Sequence, residues 1–166
     1  MSGGRLELWE PTHPRWSELM NTVEEEGQTR FATFEAEFHE ASYLLVALQG
    51  ESITGFLRAV IQRIGPDMGC PPLNHKGKFP KEAKILAFAV RPLFQNRGIG
   101  RALQSELVRL AEEWGCYQIR SHSDGHRKAN HSLKMSLGFA IHPIVRGDDK
   151  EGVYFIMSLK GECYSL

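Results

Sequence analysis

Ala89-Val-Arg-Pro-Leu-Phe-Gln-Asn-Arg-Gly-Ile-Gly-Arg-Ala-Leu103 is a strand end, a break, a glycine loop and a helix start in fifteen consecutive residues. Pro92 cannot donate to a ladder, so the strand stops there. Beyond the loop, apolar residues fall at Ile99, Ala102, Leu103, Leu107, Leu110 and Trp114. That is the three-four spacing of one buried helical face over 98–114, and Gly115 stands where a C-terminal cap belongs. N–H groups in the first turn of a helix lack partners within it, and the macrodipole adds positive potential. Gly98 and Gly100 let backbone come close to an anion, and Arg97 and Arg101 add full charges. From spacing alone the segment is either a phosphate cradle or a tight strand-to-helix turn. The GK[ST] of a nucleoside-triphosphate loop is missing, and Leu103 occupies the third glycine position of the dinucleotide fingerprint.

Upstream, 5–9 alternates as a strand and a helix is expected over 14–26, opened by Pro14 and ended by Gly27. A second helix is expected over 29–40. The apolar run 43–48, the turn signal 49–52 and the β-branched stretch 53–64 predict a hairpin of two long strands. Residues 65–80, rich in Gly and Pro, make a loop that is either a lid or binding loop or a disordered crossing. Then come a strand over 84–90, the helix, a strand over 117–122, a helix over 127–137 and closing strands over 139–145 and 153–159. Strand, helix and strand over 84–122 imply a parallel pair with a right-handed crossover. With hairpins on both sides, the class is α/β (α+β) around one mixed sheet.

Composition limits the function. A chain of 166 residues suits one domain over 1–166. Twenty Lys and Arg balance twenty Asp and Glu, against the basic excess of a nucleic-acid binder. No apolar run approaches the ~20 residues of a membrane helix, and the start lacks a signal-peptide pattern. The cysteines, Cys70, Cys116 and Cys163, are odd in number and far apart, which points to a cytoplasmic protein.

Gln95-Asn-Arg-Gly-Ile-Gly100 resembles the Q/R-x-x-G-x-G/A signature of the GCN5-related N-acetyltransferase (GNAT) family. The preceding strand, the Val90 to Pro92 link and the downstream Leu-Gly-Phe139 fit the same family, over about Leu6 to Leu159. The resemblance implies a GNAT-like domain: a central mixed, mostly antiparallel sheet of six to seven strands, strands four and five parallel and splayed, with about four helices. It implies acetyl-CoA as cosubstrate and no metal. Its pyrophosphate would lie on the N–H groups of Asn96, Arg97, Gly98, Ile99, Gly100 and Arg101, after Gln95. Phe88, Ala89 and Val90 would pair with the pantetheine arm like an added strand. An N–H near Ala89 or Val90 would polarise the thioester carbonyl. Arg127, Lys128 and Asn130 would meet the distal part of CoA.

Acetyl transfer needs a base for the amine proton and benefits from an acid for the leaving thiolate. Where family members often carry a glutamate base, this sequence has His122, whose ordinary pKa suits the task. Asp124 would orient it or cap the next turn. The usual tyrosine acid is replaced by Lys134, a poor acid unless burial lowers its pKa; Ser132 or water are the other donors. His122, His126 and His131 lack the spacing and partners of a zinc site. Glu24, Glu25, Glu26, Glu35, Glu37 and Glu40 are either an attraction for a cationic acceptor or solvated helix faces. Phe31, Phe34 and Phe38 read as core. The expectation is an N-acetyltransferase acting on a small-molecule or peptide amine, as a monomer or homodimer without nucleic-acid or membrane partners. The alternatives are a non-catalytic acyl-CoA sensor and transfer of a longer acyl group.

Overall fold

Along β2 (Ala41–Gln49) successive side chains serve two different cores. Leu44, Val46 and Leu48 join Trp9, Leu19, Val23, Ile53 and Phe56 on one face. Leu45 and Ala47 join Leu57, Ala59, Leu103, Leu107 and Ala111 on the other. The period of two places alternate residues on opposite faces of the sheet, and a continuous apolar run is what a strand covered on both faces requires.

A computed structural model describes residues 4–159. The remaining strands are β1 (Arg5–Trp9), β3 (Ser52–Arg63), β4 (Lys81–Val90), β5 (Gln118–Ser123), β6 (Ala140–Pro143) and β7 (Val153–Ser158). They form one seven-stranded sheet in the order β1-β2-β3-β4-β5-β7-β6. Only β4 and β5 are parallel; every other neighbouring pair is antiparallel. Helices α1 (Trp16–Glu25) and α2 (Thr29–Thr33) cover one face, and α3 (Ile99–Glu113) covers the other. Helix α4 (Lys128–Ser136) follows β5. Each fully buried leucine of α3 contributes roughly 2 kcal/mol, so its apolar stripe holds the helix on the sheet more than propensity does.

The parallel pair is short. Its register runs from Glu82 opposite Gln118 to Ile85 opposite Ser121 and stops. At that level β4 carries a bulge: Ala87 faces Arg58 and Ile85 faces Ala59, leaving Leu86 without a cross-strand partner on β3. A bulge bends its strand and increases local twist, so β4 turns away from β5 where their pairing ends. The splayed mixed sheet expected from the sequence is thus present, with seven strands and four α-helices among the described residues.

Several boundaries differ from expectation. The second helix stops at Thr33 instead of continuing to 40. The cause is Arg58 on β3, which is buried and donates to the carbonyls of Phe31 (3.0 Å) and Phe34 (2.6 Å) and to the Glu35 carboxylate (2.7 Å). Those bonds hold the chain in a non-helical path. Phe31 and Phe34 are consequently 46% and 50% exposed, not core. β4 begins at Lys81, earlier than 84, and the strand expected over 139–145 is confined to Ala140–Pro143.

Segment 65–80 is fastened below the open part of the sheet. Its short 3-10 turn, Pro66–Met68, presents Asp67 to Lys84 Nζ at 2.6 Å and to Arg120 at 2.5 Å. Arg120 also donates to the fully buried Glu82, at 2.6 Å. Buried charges tolerate this position because each has an opposite partner.

Candidate active site

The divergence of β4 from β5 leaves a cleft of about 960 Å³, walled by Leu86–Val90 on one side and by Ser121–Asp124 and α4 on the other. Backbone on the β5 side of β4 has no strand partner beyond Ile85. One end of the cleft is the loop at the start of α3, and the other reaches Glu26, Gln28, Phe31, Lys84 and Arg146.

The loop is built to expose amides. Asn96 and Gly98 have φ of 60° and 80°, a left-handed turn just ahead of the helix. Gly98 is the N-cap, and the first bonded helical N–H is that of Ala102, to Gly98 C=O at 3.0 Å. Among the described residues the N–H groups of 96–101 have no hydrogen-bond partner. A Cβ on Gly98 would meet nothing within 4 Å, so that glycine is required by backbone conformation. Gly100 is required by packing against Phe88 and Leu133. Gln95 donates from Nε2 to Val90 C=O at 3.0 Å, tying the loop to the strand it leaves.

Most expected residues line the same cleft: Phe88, Ala89, Val90, Gln95, Asn96, Gly98, Ile99, Gly100, Arg101, His122, Arg127 and Asn130. Arg97 does not; its guanidinium lies over the Phe94 ring, and the residue lines a smaller recess beside β1. Asn130 uses its amide to donate to Ser123 Oγ (3.1 Å) and to accept from Gln104 (3.5 Å), so it also braces α4. Arg101 is bonded to Ser136 at 2.7 Å. No residue of 65–80 lines the cleft, so that segment does not wall it.

His122 closes β5. Its Nε2 is buried with no hydrogen-bond partner among the described residues, and its Nδ1 is 3.9 Å from Asp124, too far for a hydrogen bond. Burial, and next the Arg146 cation, hold its pKa below the ordinary histidine value. At neutral pH the ring is therefore uncharged and has a lone pair to offer. Lys134, also in the lining, is buried to 1% exposure and donates to Gln104 Oε1 at 2.8 Å. Burial pushes its pKa down to about 7. Half of the acidic surface is committed: Glu25 pairs with Arg91, Glu35 with Arg58, and Glu40 with Arg63 and Lys81. Among the described residues there is no group of three or more His, Cys, Asp or Glu fit to hold a metal ion, and no helix is long and apolar enough to cross a membrane.

Sequence reasoning missed Lys84, Phe31 and Arg146 as cleft residues. They come from three distant segments that only the sheet order brings together. The Leu86 bulge also left no sign in the sequence, since Ile85–Val90 reads as an uninterrupted strand.

The family model described as "Acetyltransferase (GNAT) family" matches residues 6–139. Curated proteins gave no match. Among solved structures, Arabidopsis thaliana NAA60 in complex with acetyl-CoA superposes with a TM-score of 0.71 at 17% identity, covering 95% of this chain and 100% of that one. The ribosomal-protein-S18-alanine N-acetyltransferase from Escherichia coli gives 0.61 at 20% identity, covering 99% and 100%. A Bacillus subtilis acetyltransferase in complex with CoA gives 0.60 at 18% identity, covering 95% and 99%. At these identities the likeness is one of fold.

Proposed function

Because the chain belongs to the GNAT acetyltransferase family, we propose that it transfers an acetyl group from acetyl-CoA to a primary amine, by direct attack in a ternary complex. The observation that carries the reading is one continuous cleft joining the unpaired amides of Asn96 and 98–101, the open edge of β4 and the unpartnered Nε2 of His122. The residues fit the cosubstrate on two counts. Unpaired N–H groups at a helix start suit a diphosphate, and an unpaired strand edge suits an extended, amide-bearing arm.

In this reading Asn96, Arg97, Gly98, Ile99, Gly100 and Arg101 hold the pyrophosphate, chiefly through backbone. Gln95 fixes the loop against Val90. Phe88, Ala89 and Val90 align the pantetheine arm, with a backbone N–H near Ala89 or Val90 aimed at the thioester oxygen. Arg127 and Asn130 flank the distal part of CoA. Acetyl-CoA supplies an acyl group activated as a thioester. His122, neutral at pH 7, takes the proton that the attacking nitrogen sheds as it bonds to carbon, directly or through water. Holding amine and thioester side by side supplies much of the remaining acceleration. The acceptor amine, free or on a peptide, enters from the end bounded by Glu26, Gln28 and Phe31.

The test is a thiol-release screen of purified protein with acetyl-CoA against amines, aminoglycosides, polyamines and peptides, alongside calorimetry. Acetyl-CoA uptake and acceptor-dependent thiol release are expected. Uptake that raises the melting temperature with no thiol release from any acceptor would replace this reading with a sensor. No uptake of any CoA thioester would overturn it.

A further inference from the structure

We propose that the acceptor is an amine carrying a carboxylate a few bonds away, and that Arg146 is the residue that selects it. The inference rests on the acetyl-transfer reading and names the acceptor class of that same cleft. Its starting point is the charge at the acceptor end. The cations there are Lys84 and Arg146, and among the described residues the only carboxylates lining the cleft are Asp124 and Glu26. Asp124 stands beside the His122 ring, and Glu26 lies at the C-terminal end of α1. Other acidic groups nearby are engaged. Glu35 is paired with Arg58, and Asp149 accepts from the N–H groups of Gly125 and Glu151 at 3.1 and 3.0 Å.

Arg146 is held in place yet left uncompensated. It opens a tight turn over 146–149, in which Gly147 takes a φ of 57°. Arg146 N–H donates to Asp149 C=O at 3.2 Å, and Asp149 N–H donates to Arg146 C=O at 3.0 Å. Its Nη2 donates to the Tyr154 hydroxyl at 2.7 Å, and the guanidinium lies 5.7 Å from the Tyr154 ring centroid. That partner is neutral. Among the described residues no carboxylate comes within ion-pair distance of Arg146, and its Nε and Nη1 make no hydrogen bond. A guanidinium fork with free donors fits a carboxylate in two-point fashion.

Tyr154 also ties Arg146 to the base. Its buried ring meets the His122 ring edge-on, with centroids 5.5 Å apart. A Cβ on Gly152, on the same connection, would stand 3.5 Å from His122 Nε2. The nitrogen that takes the proton therefore faces the connection that carries the guanidinium. One side chain separates base from cation, so an amine at His122 reaches Arg146 with a carboxylate only a few bonds along. Lys84 adds a weaker pull, since its Nζ shares its charge with Asp67 at 2.6 Å but keeps further N–H donors. Both cations act on His122, each helping to depress its pKa. One uncompensated charge suits a carboxylate better than the nearly double charge of a phosphate monoester. A polyamine or aminoglycoside would bring further ammonium groups against Arg146 as like charges.

The experiment follows thiol release from acetyl-CoA with free amino acids, the matching amino-acid amides, and short peptides that begin with Asp or Glu. Wild type is compared with Arg146→Gln and Arg146→Lys at about pH 8, where His122 is neutral with or without the arginine. In Arg146→Gln, KM for carboxylate-bearing acceptors should rise by about 10- to 100-fold, with kcat little changed. KM for the amides and the affinity for acetyl-CoA should stay within about twofold. Arg146→Lys keeps the charge without the fork and should fall in between. Calorimetry of the same acceptors on protein loaded with CoA reads the preference without turnover, and it decides on wild type alone should the variants fail to fold. The better acceptor of the two supporting kinds tells an α-carboxylate from a side-chain one. Equal changes for acids and amides, no change in either, or a polyamine used better than any carboxylate-bearing amine would overturn the inference and leave acetyl transfer standing. A wild-type protein inert toward every acceptor would instead remove the acetyl-transfer reading, and this inference with it.

Discussion

Gly100, in the first turn of α3, lies so close to Phe88 on β4 that a Cβ on Gly100 would stand 3.2 Å from Phe88 Cζ, and as near to Leu133 Cδ2. The helix start is therefore seated directly on the opened strand and against α4. That seating brings the unpaired amides of Asn96 and 98–101 and the unpaired edge of β4 into one cleft, which neither element would make alone.

Gly98 and Gly100 should respond differently to substitution. Gly98 has φ of 80° and open space around it, so Gly98→Ala should cost about 1 kcal/mol through backbone strain and weaken acetyl-CoA binding by tilting the amides. Gly100 has ordinary helical backbone, so Gly100→Ala gains roughly 1 kcal/mol of propensity, offset by crowding. Gly100→Val adds bulk against Phe88 and Leu133 and should abolish binding. Thermal melts with calorimetry read both effects. Equal behaviour of the two alanine variants would contradict the distinction.

The lowered pKa of His122 sets the direction of an activity profile. A group that must be neutral to act, and whose pKa lies below 6.5, keeps its function as pH falls through 6.5 and loses it only beneath. The acid limb of kcat/KM should therefore lie below 6.5, and His122→Asn should remove it with a loss of about 100-fold. An unchanged limb in the variant assigns that titration to another group.

How much of this was legible follows from which interactions are local. The Gln95–Gly100 loop, its flanking strand and helix, and the continuous apolar run of β2 are written in short-range spacing, and the parallel pair within a mixed sheet followed from the strand–helix–strand unit; the full strand order did not. Helix 29–40 failed because Arg58, more than twenty residues downstream, captures the carbonyls of Phe31 and Phe34. No propensity within that segment reports such a contact. Lys134 could be singled out by position, but its burial against Phe88 and Phe139, which lowers its pKa, comes only with the assembled cleft.

Asp67 carries a pH-dependent share of stability. Burial alone would raise its pKa, but hydrogen bonds and charge from Lys84 and Arg120 outweigh that and hold it below 3.8. Its contribution is therefore complete above 3.8 and is lost as pH falls through the lower folded value. Asp67→Asn leaves Lys84 without its carboxylate and Arg120 with Glu82 alone, and should cost about 3 kcal/mol at neutral pH. The penalty should shrink in strong acid, where wild type loses the same interaction. Denaturant melts across pH measure both, and a pH-independent difference would contradict the account.

Gly125 fastens the turn after β5 to the β6–β7 connection that carries Arg146. Its N–H donates to Asp149 Oδ2 at 3.1 Å, and a Cβ there would collide with Glu151 Cβ and come within 3.0 Å of Asp149 Oδ1. On the same connection, a Cβ on Gly152 would stand 3.5 Å from His122 Nε2, and the Arg146 cation helps depress the His122 pKa. Gly125→Ala should therefore push 149–152 outward, admit water to His122 and carry Arg146 away from it. Both changes raise the His122 pKa toward its ordinary value, so the acid limb of kcat/KM should move up in pH. Asp149→Ala releases the same hydrogen bond but also removes a carboxylate whose charge raises the His122 pKa, so it should move the limb less than Gly125→Ala does. NMR titration of the His122 ring in the unliganded protein follows this shift without any assay. A ring that titrates identically in wild type and both variants would mean that the connection does not set the environment of the base.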